Sequence, residues 1–240
     1  MQTTIIRSLF SVSLLCSTFI LLSYNNVNAE DVFTFADVVI NALEKTYNSQ
    51  IEMERLGIRI KKEPSKNESI QDRYRSMITD QITTLNIIIN DLEDARQLLL
   101  PYKKSDNYYT RTGVNHAIEG YTTLSLGFSM GVDLLEKLGN FELNNKYGTQ
   151  ARMMADQDTA LKKGWDTIMQ SYLEMGLSFT DYDGKGKSTF TTSEKKILSR
   201  QLETIFGKDF RKEPLNTKSK GKITVFIARD LWNFINFGVH

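Results

Sequence analysis

The sequence predicts an all-α protein: an antiparallel up-down-up-down four-helix bundle with a small C-terminal helical appendage. Three observations predict it. Apolar side chains recur at steps of three and four over four long stretches, the spacing that lines one face of a helix. Only three prolines occur in 240 residues, and all three fall between helical stretches. The connections are short, which makes consecutive helices antiparallel neighbours.

Residues 1–29 stand apart from this pattern. Arg7 gives a positive start, residues 8–23 an apolar middle, and Val27-Asn28-Ala29 the small or medium residues a signal peptidase reads. The segment reads as a secretory signal peptide, and the expected localisation is secreted or periplasmic. Its apolar run is short and rich in serine, so membrane association is expected only if the segment stays uncleaved.

The first helical stretch covers residues 34–62. Thr34-x-x-Asp37 resembles a capping box, and Phe35, Val39, Leu43 and Tyr47 share a face. Pro64 stops it, because the residue before proline avoids helical dihedrals. The second begins at the capping box Ser65-x-x-Glu68 and ends at Pro101. Its seam includes Ile70, Met77, Gln81, Leu85, Ile88 and Leu92.

The third covers residues 107–138, with Val114, Ala117, Tyr121, Leu124 and Phe128 on its seam. Gly131 costs helix propensity and so implies a close approach, and Gly139 or Asn140 suits a left-handed cap. The fourth covers residues 145–179, with Tyr147, Ala151, Met154, Asp158, Leu161, Trp165 and Tyr172 on one face. Rods of roughly 30 residues at 1.5 Å each are about 45 Å long. These helices form one domain, residues 30–180, and residues 181–240 form the appendage. There, a short helix runs from the Thr191-x-x-Glu194 box to Gly207, a charged connector follows, and residues 223–237 are apolar. Ile223-Thr224-Val225-Phe226 suits either a helix start or a short strand.

Composition narrows the function classes. Cys16, the only cysteine, lies in the signal segment, so the exported chain has no disulfide, thiol nucleophile or thiolate metal site. Removing Arg7 leaves 29 basic against 29 acidic residues, which argues against a nucleic-acid partner. Neither a Ser-His-Asp set nor a glycine-rich phosphate loop is present.

Two weak sites remain. Asp181-Tyr-Asp183-Gly-Lys185-Gly186 resembles the opening of an EF-hand loop, with Glu194 as the closing ligand. Lys185 replaces an oxygen ligand and Lys187-Ser188 is an insertion, so a plain Asp-Gly turn competes with calcium binding. A second loop-like stretch, residues 216–227, has lysines where ligands belong. Asp158 interrupts the seam of the fourth helix: buried there, its carboxylate needs a partner, for which Gln81 is the candidate, while a slight rotation that exposes Asp158 is the competing reading. His116 and Glu119 lie three apart but lack the companions a di-metal bundle needs. Met153, Met154, Met169 and Met175 read as core filler. The basic residues Arg211, Lys212, Lys218, Lys220 and Lys222 read as a solvated loop. Asn67 lies in a glycosylation sequon.

The resulting expectation is an exported, non-catalytic helical-bundle binding or protein-interaction module. Its partner is an unknown protein or small ligand, and it has no cofactor unless calcium binds residues 181–194. A calcium-responsive module and a structural envelope protein are the alternatives.

Overall fold

Glycine spacing, as much as apolar periodicity, sets how the long helices meet. The computed structural model describes residues 31–60, 69–181, 186–212 and 223–239. It is all-helical, with six α-helices packed on one another: α1 (Val32–Ile60), α2 (Ile70–Leu99), α3 (Tyr108–Gly139), α4 (Tyr147–Leu177), α5 (Thr192–Phe206) and α6 (Ile223–Asn236). Residues 223–226 are helical from the first, so the strand alternative falls away.

Local chemistry fixes most ends. Ser69 caps α2, its hydroxyl accepting from the Asp72 N–H. The Ser65–Glu68 box, Asn67 and residues 1–29 lie outside the described residues. Pro101 sits in a 3₁₀ turn, Leu100–Lys104, that follows α2. Asn107 caps α3 by accepting from the Thr110 N–H at 3.0 Å. Thr191 and Glu194 form a reciprocal capping box on α5, and Gly207 ends that helix at φ 81°. The left-handed residue after α3 is Phe141, at φ 60°, rather than Gly139 or Asn140. Asn140 stays at φ −85°, and the Glu142 N–H reaches back to the Lys137 carbonyl at 3.0 Å.

α1 and α2 run in opposite directions. Lys45 meets Asp94 while Ser49 donates to the Ile88 carbonyl across α1 and α2. On α3, glycines at 113, 120 and 127 repeat every seven residues, which is close to two helical turns. A Cβ at each would strike α4: Met175 at Gly113, Ile168 at Gly120 and Leu161 at Gly127, the nearest atoms at 2.6 to 2.8 Å. Gly164 of α4 returns the arrangement, since a Cβ there would lie 2.7 Å from Leu124. Gly131 faces Gln157 in the same register. Bare backbone thus lets the two helices approach closely along most of their length.

The C-terminal quarter packs into this body rather than beside it. α6 packs on both α1 and α4, and α5 packs on α1 and α6. Leu198, Leu202, Val225, Ile227, Leu231 and Ile235 belong to the same buried cluster as Phe35, Leu43, Leu92 and Ile168. A Cβ on Gly176 would strike the Phe234 ring, so α4 and α6 also touch at bare backbone. The predicted boundary at residue 180 therefore cuts through a shared core. Among the described residues, no helix is long and apolar enough to cross a membrane.

Candidate functional site

Among the described residues, an open groove lies where α3 begins and α4 ends. It is a groove of about 440 Å³ lined by Asn107, Tyr108, Tyr109, Leu177, Ser178 and Thr180. Concave sites for small molecules span roughly 300–1,000 Å³, so the volume is adequate for one. Each wall follows from a helix terminus. The Asn107 cap turns the chain into α3 and sets the two tyrosines side by side, edge to face at 5.3 Å. Tyr108 is 61% exposed, and the Arg111 guanidinium stands 6.0 Å from its ring centre. Arg111 is itself held by donating to the Ser105 carbonyl at 2.8 Å.

The opposite wall is the C-terminus of α4. Ser178 donates its hydroxyl to the Met175 carbonyl at 2.6 Å, and Thr180 donates to the Leu177 carbonyl at 2.8 Å. These bonds satisfy helix-end carbonyls and leave the hydroxyl lone pairs as acceptors. The Asn107 side chain accepts through its oxygen, which leaves its NH₂ as a donor. The groove therefore offers two aromatic rings, an apolar floor at Leu177, and both hydrogen-bond roles.

Polar chemistry inside the core lies elsewhere than the sequence places it. Asp158 is exposed, because the buried side of α4 passes through Gln157, Gly164, Ile168 and Met175, one position away. Gln81 is half-buried on α2, and among the described residues no hydrogen bond joins it to Asp158. A buried chain of hydroxyls links α1, α3 and α4. Thr46 of α1 meets the Tyr121 hydroxyl at 2.8 Å, and Tyr121 meets the Tyr172 hydroxyl of α4 at 2.7 Å. Thr46 also donates to the Ala42 carbonyl at 2.9 Å. Burial pushes Tyr121 up to about 12 and raises Tyr172 well above its ordinary value, while their mutual bonds partly oppose the shift for Tyr121. At the sequence level both tyrosines read only as seam residues. The available signal was that a buried tyrosine needs a partner for its hydroxyl.

The remaining predicted residues are placed as follows. The Asp181 carboxylate accepts from the Lys187 N–H at 2.7 Å. Glu194 accepts from the Thr191 N–H and from its hydroxyl, each at 2.7 Å. Both carboxylates thus serve local backbone, and Asp183 lies outside the described residues. Among the described residues there is no group of three or more metal-ligating side chains. His116 pairs with Glu174 across α3 and α4 at 2.6 Å, not with Glu119, which meets Lys163 at 3.3 Å. Met175 is core, but Met154 and Met169 are exposed. Arg211 binds Glu203 at 2.6 Å and stacks 4.8 Å from the Trp232 ring centre. Lys218, Lys220 and Lys222 lie outside the described residues. No family model, curated protein or solved structure matches the chain.

Proposed function

We propose that the protein is an exported, non-catalytic binding or interaction module. In it, the four long helices form an up-down-up-down bundle whose first and last members are joined through α6. The secreted or periplasmic address rests on the composition of residues 1–29. The observation that carries the binding reading is the groove at Asn107–Tyr109 and Leu177–Thr180, with its exposed Tyr108 ring and paired donors and acceptors. Rings that need little ordering, set beside hydroxyl and amide groups, are the equipment of recognition.

The test is native mass spectrometry of the purified chain beside a Tyr108→Ala variant. A small molecule or peptide retained by the wild type and lost from the variant is the expected result. If nothing is retained, and no compound in a broad melting-shift screen distinguishes the two proteins, the groove is not a binding site.

A further inference from the structure

α4 carries a second, largely exposed apolar stripe, which α6 flanks at Met169 and Leu173. Tyr147, Met154, Met169 and Leu173 are 72%, 55%, 40% and 44% exposed. At 3.6 residues per turn they fall within a band about 100° wide, rotated by about 110° from the seam against α3. The band runs for about 40 Å along the helix. Its middle is charged: Asp158 and Lys162 are both exposed, and neither has an ion-pair or hydrogen-bond partner among the described residues. Their neighbours behave differently, since Arg152 pairs with Asp156 and Lys163 with Glu119.

We propose that this stripe is a homodimer interface, occupied by the same stripe of a second copy running antiparallel. The charge pattern argues for that occupant. An antiparallel two-fold arrangement that sets Asp158 against the partner's Lys162 also sets Lys162 against the partner's Asp158. The same register places Ala151 opposite the partner's Met169, a small side chain facing a large one. It places Tyr147 opposite the partner's Leu173, at the edge of a cleft between α4 and α6 also lined by Phe226 and Asp230. A parallel arrangement in register would bring Asp158 onto the partner's Asp158 and Lys162 onto the partner's Lys162, which repel. Apolar contact supplies the affinity and the two reciprocal ion pairs set direction and register, because exposed pairs alone contribute little. The surface is separate from the groove at Asn107, and its test is independent.

Analytical ultracentrifugation of the full-length chain tests the proposal, with Asp158→Lys, Lys162→Asp and the double exchange. The wild type is expected to self-associate reversibly. Each single reversal replaces two attractions with two repulsions and is expected to raise the dissociation constant by about tenfold or more. The double exchange restores both pairs and is expected to return the constant to within about threefold of wild type. Both side chains are exposed, so the variants should melt with the wild type at concentrations low enough to keep all of them monomeric. A wild type that stays monomeric at about 100 μM, a concentration far above a specific complex's usual dissociation constant, overturns the proposal. So do reversals without effect, or a double exchange as weak as either single change.

Discussion

The two halves of α4 have the same apolar periodicity and opposite fates. Its C-terminal half buries Gly164, Ile168, Ser171, Tyr172, Met175 and Gly176. In its N-terminal half, residues 147–163, no residue is buried. Against the first half lie α3 on one side and α6 on another. Along the second half α3 still approaches at Gly127 and Gly131, but Tyr147 and Met154 face outward. Periodicity thus identifies an apolar face without saying what lies opposite it. On the side away from α3, burial is decided by a helix roughly 60 residues further along the chain, which no local window contains.

The contrast breaks most directly by truncation in each half. Ile168 is fully buried, so Ile168→Ala should cost about 2–5 kcal/mol in urea denaturation. Met154→Ala should change stability by no more than about 0.5 kcal/mol under dilute conditions. Equal losses at the two positions would mean that the outer half is covered after all.

The hydroxyl chain gives the next largest effect. Tyr121→Phe leaves the fully buried Tyr172 hydroxyl without its partner, a loss of about 1–3 kcal/mol. The same tyrosines give the protein an alkaline limit. Both pKa values lie above the ordinary 10, so the unfolded chain releases these protons first. Their stabilisation is complete below pH 10, and for Tyr121 it is lost as the pH rises from 10 toward about 12. Denaturation at stepped pH should therefore show stability falling by up to about 1.4 kcal/mol per unit for each tyrosine, with a shallower fall in Tyr121→Phe.

Much of the fold is legible in the sequence because helix signals are local. The Thr191–Glu194 box and the Gly207 stop act within one turn, and each appears where its residues predict. The seam of α3 through Val114, Tyr121 and Phe128 is likewise buried. What fails is rotation and partnership. A one-position drift along α4 exchanges Asp158 for Gln157 on the inner side, because apolar residues there occur on two faces. The seven-residue repeat of Gly113, Gly120 and Gly127 is visible in the sequence, but glycine is easily read as a helix defect. Its meaning emerges only once Met175, Ile168 and Leu161 stand opposite. The groove at Tyr108 and Leu177 joins residues about 70 positions apart, and no spacing rule links them.

The smallest expected difference is dynamic. Amide hydrogens of residues 147–163 should exchange faster than those of residues 164–177, since little buried contact resists opening of the outer half. Uniform protection along α4 would remove the distinction between its halves.

The position of α6 also orders events in time. Thr224 donates to Gln50 at a sequence separation of 174, and Gln201 of α5 donates to Asp37 of α1 at 2.8 Å. A ribosome delivers the N-terminus first, at about 5–20 residues per second. For several seconds after α4 emerges, Val39, Leu43 and Tyr172 belong to a helical assembly whose last wall is still being synthesised. During that interval the nascent chain exposes the apolar surface that α6 later takes up, and a variant that slows the arrival of α6 lengthens the period in which a stray hydrophobic segment can occupy its place.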